Sequence, residues 1–204
     1  MTTAISTTDF TTSGTSDGST TEAPQPAMRL QHYADGKCNL PLWCYYEPDI
    51  MNGQAARMFP QECFTGLPPT YRISRIGYQV AATRKSPSNP VVEVRGFDGN
   101  APSADPILPP FSLTDADVSP GYHEVDLDYL LQVESFCIGL AAGDLAMDTG
   151  FGLAVDDIPP PGHQSFYRVN GSGGCNTGAA FYDIAAVAVY PKAQWCIDVD
   201  IIPL

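Results

Sequence analysis

The residues of this chain that could do chemistry are carboxylates and aromatics at short spacings. Glu124, Asp126 and Asp128 alternate through YHEVDLDYL, residues 122–130. On a strand they share one face, with Val125 and Leu127 on the other. Carboxylate pairs carry out glycoside hydrolysis, and Glu124 with Asp126 would be the working pair. A retaining mechanism needs carboxyl groups about 5–5.5 Å apart. Glu124 and Asp128, four apart on a strand, are separated by about 13 Å along the backbone. The spacing therefore favours a solvated strand face over a catalytic one.

Four more aspartates belong to the stretch 130–157, LLQVESFCIGLAAGDLAMDTGFGLAVDD. Asp144, Asp148, Asp156 and Asp157 flank its turn. Calcium takes six to eight oxygen ligands and is served by flexible acidic loops. These four are the candidate calcium ligands, and calcium is the one cofactor the sequence suggests. Asp115, Asp117, Ser119 and Asp126 follow an EF-hand spacing superficially. Pro120 stands where that loop requires glycine, and no helical pattern flanks it. Otherwise these aspartates are turn formers.

Trp43, Tyr45 and Tyr46 surround Cys44. Exposed, they would form a platform for a sugar ring, and they are the candidate ligand-binding residues. Buried, they would seal one end of the core, as large aromatics usually do. Nucleophilic catalysis has little support. His32, His123 and His163 are the histidines; there is no Gly-x-Ser-x-Gly elbow, and Ser165 merely lies two residues from His163. His-Glu-x-x-His and a phosphate loop are missing too, and Gly171–Gly174 opens no helix. Asn170-Gly171-Ser172 is a glycosylation acceptor pattern.

What would hold these residues is a strand-built head. The 204 residues are 44% hydrophobic and only 16% charged, with 18 Gly and 19 Pro. One core with many turns suits short strands better than long helices. Net charge is −13, with 10 scattered Lys and Arg. No basic stripe is available to displace counterions, so nucleic acid and anionic membrane are poor partners. No stretch reaches the roughly 20 apolar residues of a membrane span.

The six cysteines are Cys38, Cys44, Cys63, Cys137, Cys175 and Cys196, and none forms a Cys-x-x-Cys pair. The spacing favours disulfides over a metal site; three bridges would allow fifteen connectivities. Disulfides imply an oxidising compartment, outside the cell or at its surface. No signal peptide follows Met1, so an export signal and any anchor are expected upstream of it.

Taken in order, residues 1–27 are a Ser/Thr-rich disordered tether, and residues 28–204 form the folded domain. Within it, residues 28–66 are a Cys-rich irregular lead-in, with the first strand expected to begin at Ala55–Phe59. YRISRIGYQVA (71–81) alternates with one slip: Tyr71 and Ile73, then Ile76, Tyr78 and Val80, face the core. VVEVRGF (91–97) is a strand closed by Asp98-Gly99. Pro102–Pro106 continues the loop, and Ile107–Leu113 is an edge strand because of its prolines. The stretch 130–157 supplies two central strands. QSFYRV (164–169) and QWCIDVDII (194–202) complete the set, the latter with Asp198 and Asp200 on its polar side. Phe181–Tyr190 is apolar and of uncertain type.

The run "YRISRIGYQV … VVEVRGFDG … YHEVDLDYLL … ESFCIGLA … GLAVDD … QSFYRV … WCIDVDI" resembles jelly-roll-type accessory domains of secreted bacterial proteins and lipoproteins, over about residues 56–202. That resemblance implies a β-sandwich with a surface or binding role and carries no catalytic residues. Jelly-roll glycosidases use Glu-x-Asp-x-Glu; here Asp128 stands in the last place. The expectation is an all-β, antiparallel, jelly-roll-like sandwich, disulfide-stabilised, with a disordered N-terminal tail. Its expected role is a non-catalytic extracellular module for a glycan or protein ligand. A glycoside hydrolase using Glu124 and Asp126, and a structural subunit of an extracellular assembly, are the alternatives.

Overall fold

The computed structural model describes residues 25–34, 37–38, 40–42, 57–84, 90–142, 150–156, 164–170, 180–186 and 193–204. Trp43, Tyr45, Tyr46, Cys44, Cys175, Asp144, Asp148, Asp157, His163 and nearly all of the expected tether lie outside them. In chain order the strands begin with β1 (Met28–Gln31), β2 (Leu40–Pro41), β3 (Arg57–Thr65), β4 (Tyr71–Arg84) and β5 (Pro90–Phe97). There follow β6 (Pro102–Pro106), β7 (Phe111–Ser112), β8 (Gly121–Leu131), β9 (Ser135–Ala142) and β10 (Gly150–Asp156). The last are β11 (Ser165–Asn170), β12 (Tyr182–Asp183), β13 (Gln194–Trp195) and β14 (Ile197–Pro203). Two short 3-10 turns, Asp115–Val118 and Ile184–Ala186, are the only helical pieces among the described residues.

The strands form two antiparallel sheets. Sheet 1 is built on β4, which pairs with β14 on one side and β8 on the other, while β10 extends along its C-terminal half. β1 pairs with β14, and β2 and β13 pair with β10. Sheet 2 runs β12-β11-β3-β9-β5-β6, with β7 also on β5. The chain is therefore all-β, and its core lies between the sheets.

The slip read in YRISRIGYQVA is a register shift between Ile73 and Arg75. Ser74 is the extra residue, and its hydroxyl donates to the Asp200 carbonyl at 3.2 Å. Either side of it, Tyr71, Ile73, Ile76, Tyr78 and Val80 all face the core, packed with Ile197, Val199 and Ile201 of β14. Sheet 2 contributes Phe64, Phe136, Ile138, Leu140, Val92 and Val94. Trp195 ties the layers together: its indole N–H donates to the Phe166 carbonyl at 2.7 Å, which satisfies its one polar group where the ring is buried.

Four expectations are corrected. Residues 28–66 hold more strand than the one expected from Ala55–Phe59: β1 and β2 lie within them besides β3. Pairing of β3 with β9 ends at Gln61, next to Pro60, which has no N–H to give. Pro102–Pro106 is a strand rather than a loop, because Ser103 Oγ accepts the Gly96 N–H at 3.0 Å and Arg95 Nη1 reaches the Ser103 carbonyl at 3.0 Å. Beyond Ile107, Pro109 and Pro110 interrupt pairing, which leaves only Phe111–Ser112 of the expected edge strand. Finally, the two strands of 130–157 are not neighbours. β9 is central in sheet 2, while β10 belongs to sheet 1.

Among the described residues two disulfides staple the sandwich. Cys63–Cys137 joins directly opposed residues of β3 and β9, and Cys38–Cys196 ties the segment after β1 to the start of β14. They close loops of 74 and 158 residues. On the chain-entropy account, either alone restrains the unfolded chain by about 4–5 kcal/mol.

Gly139 has no room for a side chain. A Cβ there would overlap the Pro60 carbonyl oxygen, a backbone atom that cannot swing aside, and would approach Gln61 Nε2 to 2.8 Å. Gly139→Ala should therefore destabilise the protein by about 2–3 kcal/mol. Urea unfolding at neutral pH measures this, and an unchanged midpoint would contradict the close approach of β3 and β9.

Candidate functional site

A cleft of about 280 Å³ opens where β1 meets β3 and the start of β11. Leu30, Phe64 and Leu67 give it apolar surface; Arg29, His32, Thr65 and Gln164 give it donors and acceptors. The volume is at the small end of the range of ligand pockets, about 300–1,000 Å³. Two buried acids, one on each sheet, fix its walls.

The first is Glu62, on the core-facing side of β3 and fully buried. Its Oε1 lies 2.6 Å from His32 Nδ1, and its Oε2 accepts the Ser165 hydroxyl at 2.5 Å. The His32 ring packs 4.9 Å from Phe64. Ser165 Oγ in turn accepts the Trp195 N–H at 3.3 Å. Serine, histidine and a carboxylate thus meet, but in the wrong order for acyl transfer. That chemistry needs the imidazole between hydroxyl and acid, ready to take the hydroxyl proton. Here the carboxyl stands in the middle, and the hydroxyl of Ser165, fully buried, donates its hydrogen bond to Glu62. The arrangement orients His32 at the cleft; it does not activate a nucleophile.

The second acid is Asp198, on the face of β14 opposite the core. It is nonetheless fully buried, because four side chains close over it. Tyr33 and Tyr122 donate to Oδ2 at 2.6 and 3.0 Å, and Arg29 and Arg75 reach Oδ1 at 3.0 and 2.9 Å. Gly77 makes this possible, since a Cβ there would meet the Tyr122 hydroxyl and lie 2.6 Å from Asp198 Oδ1. Arg75 also bonds Asp200 at 2.6 Å and pairs with Glu124. The hydrogen bond to Asp200 is the main cause that raises the Arg75 pKa above its ordinary range. Burial, then Asp198, pushes the Tyr33 hydroxyl up. Arg29 belongs to both this cluster and the cleft, so Asp198 positions one wall of the cleft.

Glu124, Asp126 and Asp128 share the exposed outer face of β8. Glu124 is engaged by Arg75, Asp126 lies opposite Arg75 in register, and Asp128 is 3.3 Å from Arg72. None of the three lines the cleft between β1 and β3. Of the four candidate calcium ligands only Asp156 is described: it is fully buried, and its Oδ2 accepts the Ala34 N–H at 2.8 Å. Among the described residues no group of three His, Cys, Asp or Glu side chains is gathered as metal ligands. Asp117 turns back to accept from Thr114, whose hydroxyl and N–H hold its carboxyl below the usual range.

Sequence reasoning missed His32, Glu62, Ser165 and Asp198 as a set. A signal existed for two of them. Glu62 has the strand parity of Phe64, and Ser165 that of Tyr167 and Val169, so both are polar residues at core-facing positions.

Burial raises the Glu62 pKa against the opposing pull of His32, Ser165 and the Trp195 N–H. An acid whose folded value lies above its unfolded value binds more protons in the folded chain between the two. Its contribution to stability is therefore fully present below the ordinary carboxyl range and is lost as pH rises through the raised value. A glutamine imitates the protonated acid and does not titrate. Relative to wild type, Glu62→Gln should gain stability as pH rises from about 4 to about 8. Urea unfolding across that range checks this; a pH-independent difference would contradict the raised value.

No family model matches this sequence, and no curated protein matches it. Solved structures match in fold. One contains the cysteine protease and lectin-like domains of Cwp84, a surface layer associated protein of Clostridium difficile: TM-score 0.51, 14% identity, covering 74% of this chain and 33% of that one. A second is a clostridial Cwp84 cysteine protease after propeptide cleavage: TM-score 0.51, 14% identity, covering 81% of this chain and 40% of that one. The chain spans well under half the length of either. At this identity the likeness is one of architecture.

Proposed function

We propose that this chain is a non-catalytic binding module of an exported protein, and that the β1–β3 cleft takes a glycan. The observation that carries the reading is the make-up of the cleft: apolar surface from Leu30, Phe64 and Leu67 beside fixed hydrogen-bonding groups on Arg29, His32, Thr65 and Gln164. Sugars offer the same combination, C–H faces beside hydroxyls. The fold likeness to a chain that carries a lectin-like domain supports the reading, as do the two disulfides, which belong in an oxidising compartment. A jelly-roll accessory domain on a Ser/Thr-rich tether, residues 1–27, is its finer form. Calcium at Asp144, Asp148, Asp156 and Asp157 would be a structural aid to the module.

An assembly role is the second reading. Ile107 and Phe111, by the short outer strand β7, are 41% and 37% exposed, and apolar residues at a sheet edge invite a neighbour. Concentration-dependent mass by light scattering, without glycan binding, would favour it.

Thr65 is exposed at the end of β3 and lines the cleft without entering the core. Thr65→Trp should fill the cleft and weaken glycan affinity at least about tenfold, with little change in melting temperature. Glycan-array binding, with and without a calcium chelator, followed by calorimetry on the best ligand, provides the measurement. Wild-type affinity in Thr65→Trp together with loss in Trp43→Ala would move the site to the 41–48 aromatics. Binding to proteins alone would remove the glycan.

A further inference from the structure

The outer face of sheet 2 holds a cation with no directly paired carboxylate among the described residues. Arg168 lies on β11, on the side away from the core. Its guanidinium carbon sits 4.7 Å from the centroid of the Phe59 ring and 5.3 Å from that of Phe181. Among the described residues no carboxylate pairs with it, and its buried Nε has no acceptor. Arg95, the neighbouring cation, is in a different position. It bonds Glu93 Oε2 through Nε at 3.1 Å and Nη2 at 2.6 Å, and donates to the Ser103 and Ala104 carbonyls. Its charge is met, yet it too lies against Phe181, at 5.1 Å. Two guanidinium groups therefore share one phenyl ring, and only Arg95 is hydrogen-bonded to a carboxylate.

Such an arrangement is costly. Arginine stays protonated in proteins, and Arg168, though half-buried, has its Nε shut away from water without an acceptor. Burial, then the nearby Arg95, depresses the Arg168 pKa, while Glu93 and Asp105 only partly offset this. Cation–π contacts return about 0.5–2 kcal/mol, which packs the head group without neutralising it. On the same face, Gln61 lies opposite Phe166, two residues along β11 from Arg168. It is fully buried, and neither its Oε1 nor its Nε2 has a partner. Among the described residues, one strand pair thus presents a guanidinium with no hydrogen-bonded carboxylate and an unpartnered amide on one face.

We propose that Arg168 receives the anion of a second binding site, on the outer face of sheet 2, and that its ligand is the carboxylate of an acidic sugar. The guanidinium fork matches a planar carboxylate. The partly exposed Phe181 ring offers apolar surface to the C–H face of a sugar. The carboxylate half of this assignment stands on Arg168 itself; the sugar half rests on the glycan reading above.

Acetate, glucuronate and glucose, titrated separately while the Arg168 Nε–H resonance is followed by NMR, separate the two halves. Glucuronate should shift it saturably and more tightly than acetate, and glucose should not shift it. Arg168→Gln should weaken glucuronate binding about tenfold, and Arg168→Lys, which keeps the charge and loses the fork, by less. Thr65→Trp, at the far cleft, should leave glucuronate binding here unchanged, so failure of one site is distinguishable from failure of the other. Equal affinity for acetate and glucuronate would overturn the sugar half. A flat glucuronate titration in a wild-type protein that melts normally would overturn the site. If Arg168→Gln lowers the melting temperature but binds glucuronate as wild type does, Arg168 only packs Phe181 and the proposal fails.

Discussion

The buried Asp198 carboxyl and the four groups that converge on it hold the N-terminal segment of this protein in place. β1 is only four residues long and pairs on one side, with β14. Backbone pairing alone would leave so short an edge marginal. Asp198 adds Arg29 from β1, Tyr33 just beyond it, Arg75 from β4 and Tyr122 from β8. The Cys38–Cys196 bridge ends two residues before Asp198, so the covalent and polar restraints act on the same few residues. With β1 pinned, His32 is delivered to Glu62 on the opposite sheet and the cleft acquires its wall.

The two buried acids show how the number and type of partners decide what burial does. Asp198 is met by two guanidinium groups and two hydroxyls. Removing any one partner would leave the others arranged around a charge that cannot return to water, the circumstance in which broken buried pairs cost several kcal/mol. Glu62 has one imidazole and one hydroxyl. Desolvation outweighs them, and its pKa rises. The first site is rigid in composition; the second is the group at the cleft whose protonation the fold already biases.

The fold was legible in sequence wherever one face of a strand is apolar. The alternation of β4, with its slip at Ser74, and that of β8 and β14 are properties of contiguous residues, and contiguous residues reveal them. The hydrophobic pattern did not distinguish β9 and β10 as members of different sheets, because both are apolar runs and the sheet each joins depends on distant partners. Proline misled in both directions. It marked Pro102–Pro106 as loop, although the Arg95 guanidinium and Ser103 hydroxyl supply the missing connections. It left Ile107–Leu113 as a strand, although Pro109 and Pro110 end the pairing. The site was much less legible. His32 and Glu62 are 30 residues apart, Glu62 and Ser165 are 103 apart, and Tyr33 and Asp198 are 165 apart. Parity could mark Glu62 and Ser165 as polar residues turned inward. Nothing local could say what they would meet.

An antiparallel sandwich ordinarily leaves its outer faces to water. Here parts of both are covered. Tyr33, Arg29 and Tyr122 close over sheet 1 at Asp198, while Phe97, Phe166 and Phe181 pack over the Cys63–Cys137 bridge on sheet 2. A chain with only 16% charged residues has few charges with which to clothe exposed strands; covering them with aromatic rings and arginine stems removes apolar area from water in another way. The consequence is that polar groups on the outer faces become buried and must be matched. At Asp198 the matching is complete. At Arg168 and Gln61 it is not, and the two covered faces differ in this one respect: one is closed upon itself, and the other still has a charge and an amide to offer.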